Sequence, residues 1–198
     1  KPPSAGTGVF AMDIGNDSST IPAFDSNFIV DYALNRKPAT SFDWVSNARL
    51  TGPFEAITNG SAAETSGDPD MAFDSNAGYA KNRNDTYQSW MWKRHAGFDV
   101  VCYTGNGISG TPITHNLAQT PEMIWIKTRN QNFSWTVGHK GLNGGTTPWN
   151  YQIHLDRDEV DEAVSNRWND TAPTSTHFTV GDHNYVNVNN YYYIAMLF

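Results

Sequence analysis

Phe10-Ala11-Met12-Asp13-Ile14-Gly15-Asn16 is an apolar run closed by a Gly-Asn turn, and Val100-Val101-Cys102-Tyr103-Thr104-Gly105-Asn106 repeats the form. Both runs lead into Ser/Thr-rich residues and a proline, and the likeness continues outward in order. Phe28-Ile29-Val30-Asp31-Tyr32-Ala33-Leu34-Asn35-Arg36 matches Met123-Ile124-Trp125-Ile126-Lys127-Thr128-Arg129 in type. Phe42-Asp43-Trp44-Val45 matches Phe133-Ser134-Trp135-Thr136, and Phe54-Glu55-Ala56-Ile57-Thr58 matches Tyr151-Gln152-Ile153-His154-Leu155. Tyr87-Gln88-Ser89-Trp90-Met91-Trp92 matches the closing Tyr193-Ile194-Ala195-Met196-Leu197-Phe198. The separation grows from about 90 residues at the first match to about 106 at the last, as turn-forming insertions in a second copy would cause. Two stretches have that composition: Gly141-Leu142-Asn143-Gly144-Gly145-Thr146-Thr147-Pro148 and Trp168-Asn169-Asp170-Thr171-Ala172-Pro173-Thr174. The boundary is expected near His95-Ala96-Gly97, giving units over residues 1–96 and 97–198.

Short runs rich in Val, Ile, Tyr, Phe, Trp and Thr, bounded by Gly, Pro, Asn and Asp, predict six or seven strands per unit. That pattern predicts an all-β chain of two tandem antiparallel β-sandwich units, jelly-roll or lectin-like in kind. In the closing strand both alternating sets, Tyr192-Ile194-Met196-Phe198 and Tyr193-Ala195-Leu197, are apolar. It is therefore expected to be a central strand covered on both sides or a subunit contact, and Trp90 and Trp92 pose the same choice in the first unit. The one helical turn expected is Asp156 to Ala163, acidic at its start.

With 198 residues the chain can bury a substantial core, and 13% aromatic against 17% charged residues is the balance of a folded, turn-rich protein. A net charge of −7 disfavours nucleic acid, whose binding relies on clustered Lys and Arg releasing phosphate counterions. Cys102 is the sole cysteine, so no internal disulfide forms and stability must come from core burial or assembly. No apolar run reaches about 18 residues and no charged-then-apolar leader is visible, so neither membrane insertion nor a signal peptide is expected. Lys1, not Met, opens the sequence, as in a fragment or a processed chain.

Gly105-Asn106-Gly107-Ile108-Ser109-Gly110 fits the dinucleotide pattern G-x-G-x-x-G, but that site needs a helix opening at the third glycine. Pro112 and Pro121 bracket a polar stretch without helical periodicity, so a glycine-rich hairpin turn is expected instead. His95, His115, His139, His154, His177 and His183 lack metal-ligand spacing, and one cysteine cannot build a thiolate zinc site. In Asp156-Arg157-Asp158-Glu159-Val160-Asp161-Glu162, Arg157 and Val160 interrupt any calcium-loop pattern. No nucleophile elbow occurs. No catalytic residue, metal or cofactor is therefore expected, although a carboxylate pair assembled only by the fold would make a glycosidase. The candidate ligand-binding residues are Trp149, Tyr151 and Trp168, aromatic rings beside the inserted segments on which a sugar could stack. Trp44, Trp125 and Trp135, at repeated strand positions, are expected in the core.

Several stretches of the second unit resemble a domain found in virion proteins of tailed phages, especially marine ones. They are Gly97-Phe98-Asp99-Val100-Val101-Cys102-Tyr103-Thr104-Gly105-Asn106-Gly107, Gln119-Thr120-Pro121-Glu122-Met123-Ile124-Trp125-Ile126-Lys127, His139-Lys140-Gly141-Leu142, and Trp168-Asn169-Asp170-Thr171-Ala172-Pro173-Thr174-Ser175 through Phe178. In the first unit, Phe73-Asp74-Ser75-Asn76-Ala77-Gly78-Tyr79 and Thr86-Tyr87-Gln88-Ser89-Trp90-Met91-Trp92-Lys93 look like a diverged copy of the same domain. The resemblance implies a structural component of the virion exterior, a tail fibre or similar appendage. Its implied partners are further copies of itself as a homotrimer, other virion proteins, and a host-surface glycan. The alternatives kept beside it are a glycan-degrading tail enzyme and a capsid decoration protein.

Overall fold

A computed structural model describes residues 5–198. The chain forms two compact units: the first comprises the chain up to Thr58 together with Glu64–His95, the second Asn59–Ala63 together with Ala96–Phe198. Both are all-β and antiparallel.

In the first unit the strands are β1 (Phe10–Ile14), β2 (Phe24–Asp25), β3 (Tyr32–Arg36), β4 (Val45–Ala48), β5 (Glu55–Ile57), β6 (Gly78–Tyr79) and β7 (Gln88–Trp92). One sheet has the order β1-β7-β3-β4-β5, and a second layer pairs β2 with β6. Between the layers lie Phe24, Phe28, Val30, Ala33, Met71, Phe73, Tyr79 and Met91, with Ala11 packed against them. Phe73 and Tyr79 stack at 5.1 Å between ring centres.

The second unit has β8 (Asp99–Thr104), β9 (Thr111–Thr114), β10 (Met123–Thr128), β11 (Thr136–His139), β12 (Tyr151–Gln152), β13 (Glu162–Ala163), β14 (His177–Val180) and β15 (Tyr192–Leu197). Its main sheet runs β11-β10-β15-β8, its second layer pairs β9 with β14, and a small ribbon pairs β12 with β13. A bridge from Val137 to Ile153 extends the sheet beyond β11. The core gathers Ile124, Ile126, Trp149, Trp168, Phe178, Val180, Val186, Tyr193, Ala195 and Leu197. β15 is an interior strand, and Tyr193 through Leu197 are buried on both of its faces.

Strand for strand, the two units share one topology. In each, the first strand pairs with the last, the last with the third, the third with the fourth, and the fourth with the segment after it. The second strand pairs with the penultimate one across the sandwich. The same glycine closes the first strand: Gly15 N–H donates to Tyr87 O at 3.0 Å, and Gly105 N–H to Tyr191 O at 2.8 Å. A side chain fits neither place, because a Cβ would lie 2.3 Å from Arg83 O at Gly15 and 2.2 Å from Val188 O at Gly105.

The ladders also correct the sequence alignment. Counting from the shared glycine, Asp13↔Ser89↔Asn35 corresponds to Tyr103↔Tyr193↔Thr128. Tyr87 therefore corresponds to Tyr191, not Tyr193, and Val45 to Ser134, so Trp44 and Trp135 are not equivalents. Each error is a slip of two residues, which keeps every side chain on its own face and leaves the pattern of apolar and polar residues unchanged.

Two further expectations are corrected. The segment from Asp156 to Ala163 is not helical: Glu162–Ala163 pairs with Tyr151–Gln152, and the short helix is Ser165–Trp168. The acids serve backbone donors instead, Asp156 accepting from Trp135 N–H at 3.0 Å and Asp161 from Asn143 N–H at 2.8 Å. Gly105–Gly110 is not a hairpin turn, since β8 and β9 lie in different layers. The buried Asn187 amide shapes this crossing by donating to Asn106 Oδ1, Ile108 O and Gly181 O at 2.9–3.1 Å.

Candidate functional site

The expected aromatic triad divides between core and surface. Trp149 and Trp168 are 6% and 1% exposed, pack edge to face at 5.5 Å, and offer no ring face to a ligand. Burial follows from Gly138 on β11, where a Cβ would lie 2.6 Å from the Trp149 ring and 2.8 Å from that of Trp168. The glycine opens the volume that the two indoles fill, and the Trp168 N–H is satisfied by Tyr151 O at 3.1 Å. Tyr151 alone of the three reaches the surface. Along β12 the alternation turns Gln152 inward and Tyr151 outward. Trp135 is fully buried, whereas Trp44 and Trp125 are half-buried.

Beside this core lies a polar cluster centred on Tyr185. Arg157 donates to the Tyr185 hydroxyl at 3.0 Å, and Arg167 lies 4.9 Å from the Tyr185 ring centre. His183 and His154 approach the ring edge-on at 4.7 and 5.8 Å. Arg167 is buried, and its Nε donates to Gln152 Oε1 at 2.9 Å. Gln152 Nε2 donates to Glu162 at 2.8 Å and lies 3.3 Å from His154 Nε2, while His154 Nδ1 lies 2.7 Å from Trp135 O. His154 thus links the Trp135 carbonyl to the Gln152 amide. Burial, and then the Arg167 charge, push the His183 pKa down to about 4, so this imidazole is neutral at pH 7. Its Nδ1 accepts from Tyr185 N–H at 3.1 Å. The groups satisfy one another around the buried Arg167 and Gln152, with Arg157 and Glu162 at the exposed rim, and such a network rigidifies a fold. No local motif announces it, because its members come from separate loops.

Lys127 is a second buried cation, fully covered although it sits in a strand. Its Nζ donates to Thr128 O at 2.8 Å, Ser61 O at 3.3 Å and Gln131 O at 3.4 Å. Together with Asn132 Oδ1, which accepts from Ala63 N–H at 2.8 Å, it fastens the segment Asn59–Ala63 within the second unit.

At the surface of the first unit the edge strand β1 exposes Phe10, Met12 and Ile14 by 38%, 59% and 57%. Alternation alone would turn these large residues inward. Instead Ala11 packs on the core and Asp13 accepts from Asp25 N–H at 2.7 Å, so the small and acidic residues take the inner face. Among the described residues, no group of three or more His, Cys, Asp or Glu is placed to hold a metal ion, and no helix is long and apolar enough to cross a membrane.

Residues 56–198 match the family described as Domain of unknown function (DUF7483), and the chain belongs to that family. No curated protein and no solved structure matches the chain.

Proposed function

We propose that this member of a family without assigned activity is an architectural module of a larger exterior assembly, joined to further copies of itself through strand β1. The resemblance to tailed-phage virion domains supplies the setting, a tail fibre or similar appendage built as a homotrimer. One observation carries the reading: the apolar stripe of Phe10, Met12 and Ile14 on a sheet edge. Edge strands that must stay unpaired are kept short, covered or bulged, or carry a proline or a charge, on the outer or the inner face. The one charge of β1, Asp13, is inward but is satisfied by Asp25 N–H, the strand has no proline, and its outward side chains are all apolar. Among the described residues no strand pairs with the outer side of β1, so this edge combines an apolar stripe with a side open to pairing, the two things a neighbouring strand recognises.

Light scattering after size exclusion tests this. The wild-type chain is expected at three chain masses at micromolar concentration, and Met12→Lys/Ile14→Lys at one, with unchanged circular dichroism. A wild-type monomer, or an oligomer indifferent to both lysines, would contradict the proposal.

A further inference from the structure

We infer that the second unit carries a saccharide-binding depression walled by Tyr151, a place and a ligand class that the assembly reading does not require. The depression measures about 290 Å³ and is lined by Thr147, Asn150, Tyr151, Ser165 and Asp170 among others. That volume falls just short of ordinary ligand pockets, which start at about 300 Å³, and suits one sugar ring better than an extended chain. Its chemistry selects the class. One half-buried aromatic side chain stands beside an amide, two hydroxyls and a carboxylate, and no Lys or Arg is in the wall. An anion would meet Asp170 with no cation to balance it, and an apolar ligand would find little apolar wall. A neutral polyhydroxyl ring gains a stacking surface from Tyr151 and hydrogen-bond partners from Asn150, Ser165 and Asp170.

The backbone around it is hydrogen-bonded on both sides. Tyr151 pairs with Ala163 in the small ribbon, and its carbonyl accepts from the buried Trp168 indole. Asn150 O accepts from Val164 N–H at 2.7 Å, and Asn150 N–H donates to Thr147 O at 3.0 Å. The backbone on both sides is held in the left-handed region, at Thr147 (φ 46°) and at the successive Asn169 and Asp170 (φ 52° and 48°). For a β-branched residue such as Thr147 that conformation is rare, and backbone strain of this kind gathers where a ligand is held.

The test is saturation-transfer difference NMR on the full chain with methyl glycosides of glucose, galactose, mannose and N-acetylglucosamine, followed by titration of any that respond. At least one glycoside is expected to bind. Asp170→Asn and Tyr151→Ala are each expected to weaken it by about tenfold or more, as loss of a ligand-facing polar or stacking group does. Asp170 is exposed, so its variant should melt as the wild type does, which separates lost binding from lost folding. Absence of transfer from the folded protein to any of the glycosides, or binding undiminished in both variants, overturns the inference. Oligomeric mass, measured on the same samples, reports separately on the assembly reading.

Discussion

The first strand of each unit occupies the same place in the same sheet order, yet β1 shows solvent Phe10, Met12 and Ile14 where β8 has Val100, Cys102 and Thr104. Val100 is buried, and Cys102 and Thr104 are small. One topology thus has an edge strand with an exposed apolar stripe in one copy and without it in the other. The inner layers diverge in the same way. The first unit fills its sandwich with the Phe73–Tyr79 stack, whereas the second opens β11 at Gly138 and inserts the Trp149–Trp168 pair. Where the third strand of the first unit carries Leu34, the second carries the buried Lys127 that holds Asn59–Ala63. Backbone pairing is what the copies share, and side-chain packing is where they specialise.

Removing the core aromatics should have the largest effect. Trp168→Ala and Phe73→Ala are each expected to cost about 3–5 kcal/mol in urea unfolding. A loss below about 1 kcal/mol for either would show that its unit does not depend on that packing.

The shared glycines come next. Gly15→Ala and Gly105→Ala force a Cβ against a backbone carbonyl and should each cost about 1–3 kcal/mol. If only one of them destabilises, the proposed equivalence of the strand ends is broken. Lys127→Leu, which installs the residue of the first unit, leaves three carbonyls without their ammonium donor and should cost about 1–3 kcal/mol. Limited proteolysis should then cut within Asn59–Ala63 faster than in the wild type.

The smallest effect is the pH dependence from His183. Its folded pKa, about 4, lies below the unfolded value of about 6.5, so the folded state binds fewer protons in that window. Its contribution is present in full above pH 6.5, is lost as the pH falls toward 4, and is constant below. The imidazole is partly solvated and faces Arg167, Asp182 and Glu162, so screening holds the loss to about 1 kcal/mol. His183→Asn should flatten the difference in melting temperature between pH 7 and pH 4.5 relative to wild type. An unchanged difference would remove His183 from the account.

Fold class was legible in the sequence because turn residues and β-branched or aromatic runs alternate on a short period. The order of strands in each copy could be traced from the Gly-Asn turn. Register could not, since a slip of two residues changes no side chain's face, and the apolar pattern alone matches Tyr87 with Tyr193. The orientation of β1 was hidden because Asp13 finds Asp25 N–H only in the fold. Of the three aromatic candidates, Trp149 and Trp168 were misplaced because the space made by Gly138 lies on a strand remote in sequence. Tyr151, next to the inward Gln152, follows plain alternation and is at the surface.

Hydrogen–deuterium exchange of the β1 and β8 amides across a hundredfold range of protein concentration tests most directly whether one edge of this twice-used sandwich is built to be covered. Protection over Phe10–Ile14 should rise with concentration while that over Asp99–Thr104 stays constant. Equal behaviour of the two strands, or no change in either, would contradict the account.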